Sequence, residues 1–297
     1  MELRVLRYFL TVAQEGNITT AASRLHVTQP TLSRQIRDLE HELGQELLVR
    51  HSHSVSLTDA GTLLYERAQD VVGLADQIAE EFRTFGSDVE GDVYFGCAET
   101  REMRLVAHAI KRMQEKFPRI MIHMTSGNAA DLCSHLDNGT LDFALLSQPL
   151  NLNRYETLDF PRPNYWCVYT RADNPLAELT AVGPADLVGQ PLIVSSQSMR
   201  AIAGNAVVEW YGDLLREMCV VADFNLPFNG AVLAQEGVGS VVTWDGLIEC
   251  GEKTGLVCRP LVPRIESHLS LAWRKNATFS QAAQQFLEYF REELEAT

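Results

Sequence analysis

Residues 17–43 read NITTAASRLHVTQPTLSRQIRDLEHEL, a pattern that predicts two short helices separated by a tight turn. Thr19 is the expected N-cap of the first helix, which ends near His26. Thr28 is expected to cap the second helix, and Pro30 falls in its first turn, where a missing N–H costs nothing because it would have no helical partner. Two helices joined in this way form a helix-turn-helix, a motif that presents its second helix to DNA.

The second of these helices has an apolar face and a polar face. Its apolar side chains recur at helical spacing, and they are Leu32, Ile36, Leu39 and Leu43. Its polar side chains are expected to project outward, and they are Gln29, Thr31, Ser33, Arg34 and Arg37. Side chains of these types read base edges and hold phosphates. Gly44 follows where a left-handed residue is expected to end the helix.

A helical hairpin with a merely solvated polar face is the alternative, and the flanking sequence argues against it. The preceding helix, over about residues 3–14, has its apolar stripe at Leu3, Leu6, Phe9, Leu10 and Ala13. After Gly44, the segments 47–50 and 55–57 suit a two-stranded wing lying along the DNA backbone. The N-terminal part is therefore expected to be an all-α winged helix-turn-helix.

The N-terminal segment resembles the DNA-binding domain of LysR-type transcriptional regulators. The matching elements are Phe9 with Val12 and Ala13, the run AASRLHVTQPTLSRQIRDLEHELG at residues 21–44, and LTDAG at residues 57–61. The resemblance implies that Gln29, Pro30, Ser33 and Arg34 face the major groove and that Arg50 reaches a phosphate from the wing. Thr31 and Arg37 are further candidates for contacts with DNA.

The wing departs from the family pattern at two positions. Many members carry basic residues where this chain has His53 and Ser56. We therefore expect its grip on the DNA backbone to be weaker or sensitive to pH.

Composition and charge bound the class of protein. A chain of 297 residues with 46% hydrophobic content allows two or three domains with buried cores. The formal net charge is -14, but residues 1–57 hold six arginines against six acidic residues and are neutral. A neutral module on an acidic body is expected to bind DNA through short-range contacts, and pairing two modules would strengthen binding. Without a membrane-length run or a signal peptide, a cytoplasmic location away from membranes is expected.

A long helical pattern, from Thr58 to about Phe85, follows the wing. Apolar residues recur in it at alternating steps of four and three, at Leu64, Ala68, Val71, Ala75, Ile78, Phe82 and Phe85. This pattern favours a coiled-coil linker that forms a homodimer through residues 59–87, and the resemblance implies a homotetramer of two dimers. A single amphipathic helix packed on its own domain is the alternative.

The glycine-bounded segment 86–91 is expected to be a hinge before a domain that alternates strands and helices. The expected strands are 93–98, 120–125, 141–146, 166–169, 192–194, 220–224, 240–243 and 269–273. The expected helices include 206–217, 229–236 and one that begins at Ser280. The final strand and helix are expected to rejoin the first half of the domain.

The resemblance extends more weakly to the end of the chain and implies a C-terminal α/β effector domain. Its two subdomains would be similar to those of periplasmic binding proteins. The expected domains are a winged helix-turn-helix at 1–58, a linker helix at 59–87 and an effector domain at 88–297. Subdomain 1 is expected over about 88–161 and 267–297, and subdomain 2 over about 162–266.

The cleft between these subdomains is the expected effector site, because open α/β sheets bind ligands beyond the carboxyl ends of their strands. The candidate residues are Thr100, Ser126, Asn128, Ser147, Gln148, Ser195, Ser196, Gln197 and Asn225, with Glu99, Thr243 and Trp244 beside them. Strand-end hydroxyls can instead cap the following helix. Where hydroxyls and helix amides converge, a small organic acid is the expected effector, and Arg200 is the nearby basic candidate.

The sequence contains no nucleophile elbow, P-loop or paired cysteine spacing, so neither an enzyme nor a metal or other cofactor is expected. Cys250 and Cys258 are the one close thiol pair in sequence, and ordinary partly buried thiols are the favoured interpretation. An enzyme with Glu99 as its acid, or a solute-binding module that contacts protein, would be the alternatives. We expect a DNA-binding transcriptional regulator that is switched by a small-molecule effector, with promoter DNA and RNA polymerase as partners.

Overall fold

The computed structural model describes most of the chain. The described residues are 1–51, 54–84, 89–147, 154–196, 198 and 205–297. They form two compact units, Met1–Gly86 and Ser87–Thr297. Within the described residues, no helix combines the length and the apolar character that crossing a membrane requires.

The first unit is built from helices around one core and a short hairpin. Its elements are α1 (Leu3–Glu15), α2 (Ile18–Arg24), α3 (Gln29–Leu43), β1 (Leu48–Arg50), β2 (Val55–Leu57) and α4 (Asp59–Thr84). The side chains of Phe9, Leu32 and Ile36 are fully buried at the centre. Strands β1 and β2 pair antiparallel and form the wing. The predicted winged helix-turn-helix is confirmed.

The helix caps correct one prediction and confirm two. Asn17, not Thr19, caps α2, since its side-chain oxygen accepts from the backbone N–H of Thr19 at 2.8 Å and of Thr20 at 3.1 Å. Asn17 has the extended backbone that an N-cap requires, whereas Thr19 already lies inside the helix. Thr28 caps α3 as predicted, and Gly44 ends it in the left-handed conformation.

The ends of two predicted apolar stripes are exposed. Leu3 and Leu43 are 37% and 40% exposed, although both were expected on core faces. Leu3 is the first residue of α1 and Leu43 is the last residue of α3, and a helix end has fewer neighbouring side chains to cover it. The inner positions of both stripes are buried as predicted, among them Phe9 and Ile36.

Part of the apolar seam of α4 packs against α1 in the first unit. Gly61 donates its backbone N–H to the Thr58 hydroxyl at 2.9 Å, which supports the predicted cap. Ala68 is buried in a cluster with Leu6 and Leu10 of α1, so this part of the seam packs as the single-helix alternative predicted. Three later seam positions remain exposed on the surface, and they are Val71, Ile78 and Phe82. Phe85 and positions 86–88 of the expected hinge lie outside the described residues.

The second unit contains two sheets. The first is formed by β3 (Gly91–Cys97), β4 (Ile120–Ser126), β5 (Phe143–Ser147), β6 (Tyr155–Asp159) and β13 (Leu269–Arg274). Its strand order is β4-β3-β5-β13-β6, in which β3, β4 and β5 run parallel. Its helices are α5 (Met103–Lys116), α6 (Ala129–Asn138) and α9 (Gln281–Glu295). The last strand and helix rejoin this sheet as predicted, and Phe286 of α9 packs against Phe95 and Phe143.

The second sheet is formed by residues between the strands of the first. Its strands are β7 (Asn164–Arg171), β8 (Pro191–Ser195), β9 (Cys219–Phe224), β10 (Ser240–Trp244), β11 (Leu256–Pro260) and β12 (Glu266–Ser267). The order is β11-β7-β10-β8-β9, with β12 paired to β7. Its helices are α7 (Ala206–Tyr211) and α8 (Pro227–Gln235), with 3-10 turns at Pro175–Glu178, Pro184–Leu187 and Gly212–Glu217.

The predicted α/β class is confirmed, with differences in detail. The helix expected over 206–217 ends at Tyr211 because Gly212 has a φ of 54°, and the chain continues as a 3-10 turn. Strands β6, β11 and β12 were not predicted.

Candidate DNA-binding surface and ligand cavity

The outer face of α3 presents the predicted DNA-binding side chains. Gln29, Pro30, Thr31, Arg34 and Arg37 are all exposed. The Arg34 side chain is 80% exposed, and its Nε lies 3.8 Å from an Asp38 carboxylate oxygen one turn along the helix. An exposed pair at this distance is weak, so the guanidinium is accessible to DNA.

Ser33 was predicted to project outward, but it is buried. It is only 8% exposed, since it lies next to Leu32 and three residues before Ile36 on a helix that packs both of them into the core. Its backbone carbonyl accepts a hydrogen bond from the Arg37 Nε at 3.3 Å, which holds the Arg37 side chain along the helix. A groove contact by the Ser33 hydroxyl remains a prediction that this burial does not support.

Arg50 in the wing is anchored by an acidic side chain. Its Nη2 donates to Glu40 at 3.1 Å, and the same carboxylate accepts from the backbone N–H groups of Leu47 and Leu48. Glu40 thus ties α3 to the wing and holds Arg50 at their junction. Ser56 lies 3.1 Å from the His51 ring nitrogen, whereas His53 lies outside the described residues.

A cavity of about 190 Å³ lies between the two sheets of the second unit. It is lined by residues at or just beyond the carboxyl ends of strands from both sheets, including Glu99 after β3, Ser147 in β5 and Asn225 after β9. This is the position at which open α/β sheets bind ligands. A cavity of roughly 150 Å³ holds a benzene ring, so this one can hold a ring or short chain with a polar group.

Several of the predicted effector residues line this cavity. They are Asn128, Ser147, Ser195 and Asn225, together with Glu99, Thr243 and Trp244. Asn128 also caps α6, because its side-chain oxygen accepts from the backbone N–H groups of Ala130 and Asp131 at 3.0 and 3.1 Å. Asn128 therefore both caps α6, as the alternative prediction held, and lines the cavity.

The other predicted effector residues do not line the cavity or cannot be placed. The Thr100 hydroxyl is buried and donates to the Asn164 side-chain oxygen at 3.0 Å. Ser126 is exposed at the end of β4, and Ser196 is not among the lining residues. Gln148, Gln197 and Arg200 lie outside the described residues.

Sequence reasoning missed the apolar part of the cavity wall. It includes Leu132, Leu145, Leu146, Trp166, Val207, Phe224 and Leu247. Apolar residues at strand ends show the same pattern whether they face a core or a cavity, so periodicity gave no signal for them.

The segment after β3 also connects the two sheets. Arg101 donates to the Asp245 carboxylate at 2.7 Å, and the other oxygen of Asp245 accepts from the Tyr165 backbone N–H at 3.2 Å. Asp245 directly follows β10 of the second sheet. This ion pair and the Thr100 hydrogen bond therefore join the two sheets beside the cavity.

The cysteines are all free thiols. Cys258, which with Cys250 forms the close thiol pair in the sequence, interacts with Cys167 on the adjacent strand β7. Burial raises the pKa of the Cys167 thiol, and the hydrogen bond with Cys167 lowers the pKa of Cys258. Burial raises the pKa of Cys250 to about 11. In the described part of the chain, no cluster of three or more His, Cys, Asp or Glu side chains could hold a metal ion.

Two family models match this architecture. The model for a bacterial regulatory helix-turn-helix protein of the lysR family matches residues 3–62, and the model for the LysR substrate binding domain matches residues 86–295. The chain therefore belongs to the LysR family of transcriptional regulators, which is not a family of enzymes.

Characterised relatives agree with this assignment. The chain is 33% identical over 195 residues to the DNA-binding transcriptional dual regulator OxyR of Escherichia coli K12, a match that covers 65% of this chain and 63% of OxyR. The match thus spans less than two thirds of that relative. The nitrogen assimilation regulatory protein nac of the same strain is 27% identical over 293 residues, which cover 96% of this chain and 92% of the relative.

Solved structures show the same fold. CbnR, a LysR family transcriptional regulator, superposes with a TM-score of 0.76 at 21% identity and 99% coverage of both chains. Full-length CbnR in complex with its target DNA superposes with a TM-score of 0.74 at 22% identity, over 99% of this chain and 100% of that one.

Proposed function

We propose that this protein is a sequence-specific DNA-binding transcriptional regulator whose activity is switched by a small molecule bound in the cavity of the second unit. The observation that carries the proposal is the outer face of α3. Arg34, Gln29 and Thr31 project from a helix whose opposite face is locked into the core by Leu32 and Ile36. A rigid helix with exposed arginine, glutamine and hydroxyl groups is the arrangement that reads bases in the major groove.

Pairing of two chains is a further part of the proposal. Val71, Ile78 and Phe82 are large apolar side chains exposed along α4, and Phe82 is 76% exposed. A second α4 would cover them at coiled-coil spacing. We propose a homodimer through residues 59–87 and a tetramer of two such dimers on promoter DNA. RNA polymerase is a candidate partner, and the cytoplasm is the proposed location.

The proposed coupling between ligand binding and DNA binding requires that the second unit adopts two states. A ligand that contacts both walls of the cavity favours one relative position of the two sheets. That change would alter how paired effector domains pack, and the linker helices would change the spacing of the recognition helices. Tenfold switching requires the ligand to prefer one state by about 1.4 kcal/mol.

A gel-shift titration of the full chain tests the DNA-binding part of this proposal. The probe is the DNA that flanks its own gene, measured at two salt concentrations with scrambled DNA as competitor. We expect specific retardation that weakens as salt rises, because bound phosphates release counterions. Absence of retardation at low salt would contradict the proposal and favour a solute-binding module.

A further inference from the structure

Most arginines of the first unit are paired with carboxylates. The pairs are Arg4–Glu2 at 3.3 Å, Arg24–Glu15 at 2.6 Å, Arg34–Asp38 at 3.8 Å and Arg50–Glu40 at 3.1 Å, together with Arg7–Asp76. Arg37 differs from these, since its Nε donates to the backbone carbonyl of Ser33. Attraction between protein cations and phosphates supplies essentially all of non-specific DNA binding. A unit whose arginines are compensated in this way therefore attracts arbitrary DNA only weakly.

Asp38 is the acidic partner that lies on the outer face of α3. It follows Arg34 by four residues, so helical geometry places the two side chains next to each other on that face. The Asp38 side chain is 62% exposed, and its ion pair within the described residues is the one with Arg34. Glu40 differs, because it is 13% exposed and also accepts from two backbone N–H groups of the wing. The charge of Asp38 is thus presented to DNA and is not used to join elements of the fold.

The pair leaves the base-reading atoms of Arg34 available. The Asp38 carboxylate lies nearest the Nε of Arg34, so both terminal Nη groups can form the bidentate hydrogen bonds that select guanine. Those bonds act at short range, and a carboxylate on the other side of the guanidinium leaves them in place. The attraction of Arg34 for a phosphate acts at longer range and depends on the net charge of the pair. Asp38 therefore reduces the attraction to phosphates more than the contact with a base.

We propose that Asp38 is a specificity-determining residue of the DNA-binding surface. Its carboxylate offsets the charge of Arg34 in non-specific complexes, where phosphates supply the attraction, and preserves the contact of Arg34 with a matching base. Weakening the binding of wrong sequences increases discrimination just as a new contact with the right sequence does. The proposal rests on the proposed role of α3 as the recognition helix, and it adds the residue that limits binding to arbitrary DNA.

Fluorescence anisotropy of the full chain with two duplexes tests this role. One duplex carries the sequence that the gel shift identifies as specific, the other is its scrambled counterpart, and the salt concentration varies between about 50 and 200 mM. Asp38→Asn removes the charge with little change of shape, and Asp38→Glu keeps the charge. Glu2→Gln is the matched control, because it frees the exposed Arg4 by the same change of charge at the start of α1.

We expect Asp38→Asn to bind the scrambled duplex about fivefold more tightly at the lowest salt, with a salt slope steeper by about 0.9, because Arg34 then neutralises one further phosphate. The specific duplex should gain about twofold or less, since Arg34 already contacts a base there. The ratio of the two affinities should therefore fall, whereas Asp38→Glu and Glu2→Gln should preserve it. In an Arg34→Ala background, Asp38→Asn should have little effect on the scrambled duplex, because the cation that Asp38 compensates is absent.

An unchanged affinity of Asp38→Asn for the scrambled duplex, or equal gains for both duplexes, would overturn the proposal. The specific binding of the original protein would then still support the proposed function. A gain of the same size in Glu2→Gln would assign the effect to net charge alone, and the same gain in the Arg34→Ala background would exclude an action through Arg34. Either result would overturn the proposal as well. Absence of specific retardation for the original protein would instead contradict the proposed function, on which the role of Asp38 rests.

Discussion

Replacing Arg34 with alanine removes an exposed guanidinium on the outer face of α3, the face that is proposed to contact DNA. In the free protein its contact is the 3.8 Å pair with Asp38, and both side chains are more than 60% exposed. Such a pair contributes less than ~1 kcal/mol to folding, so the variant should fold as the original does. If Arg34 reads a base, specific binding should weaken by about 1 to 3 kcal/mol, or roughly 5-fold to 150-fold.

The assay is fluorescence anisotropy with a specific and a scrambled duplex at several salt concentrations. Loss confined to the specific duplex indicates base reading. A uniform loss with a salt slope reduced by about one indicates a phosphate contact. Arg34→Lys should lie between the original and the alanine variant, since lysine cannot form the bidentate pair. Arg4→Ala is the matched control, because Arg4 is 66% exposed on α1. Unchanged specific affinity in Arg34→Ala would refute the assigned role.

Three further outcomes follow from the first unit. Asn17→Ala should lower the unfolding free energy of the first unit by about 1 kcal/mol, whereas Thr19→Ala should change it little. Chemical denaturation measures both values, and a larger loss in Thr19→Ala would contradict the observed cap. Phe82→Glu should convert the proposed dimer to a monomer in analytical ultracentrifugation without loss of helix content, and an unchanged mass would exclude the proposed α4 interface. The hydrogen bond from Arg7 lowers the pKa of Asp76, so Asp76→Asn should cost less than ~1 kcal/mol at neutral pH. That cost should vanish as pH falls through the lowered pKa, because the pair stabilises the fold only while Asp76 is ionised, and a cost that persists in acid would contradict this origin.

The first unit was largely predictable because its signals are local. The cap at Thr28, the glycine at position 44 and the apolar stripe of α3 each depend on a few neighbouring residues. The wrong predictions occur where two local signals are equally strong. Asn17 and Thr19 are both good caps, and the choice between them depends on where the chain turns into α2. Ser33 lies at the edge of the apolar stripe, where polarity alone cannot show how far the neighbouring helices extend.

The cavity was predictable in position but not in composition. The rule that ligands bind at the carboxyl ends of parallel strands located Ser147, Ser195 and Asn225 from sequence alone. The same rule also selected Thr100, which does not line the cavity. The Thr100 hydroxyl donates instead to Asn164, a residue distant in sequence that the fold brings close. The apolar part of the wall, which includes Phe224 and Leu247, emerges only from three-dimensional packing, because periodicity does not distinguish a cavity wall from a core.

Glu99 directly precedes the residues that connect the two sheets, and this position offers a mechanism for the proposed regulation. The next two residues join the sheets, Thr100 by its hydrogen bond to Asn164 and Arg101 by its ion pair with Asp245. Glu99 lines the proposed effector cavity, so a ligand there lies against a segment whose next two residues are bonded to the second sheet. A hydrogen bond of this kind contributes about 1 kcal/mol, and one to a charged group about 1.5 to 3 kcal/mol. The Arg101 pair is partly exposed, so its gain or loss would supply part of the roughly 1.4 kcal/mol that tenfold switching requires.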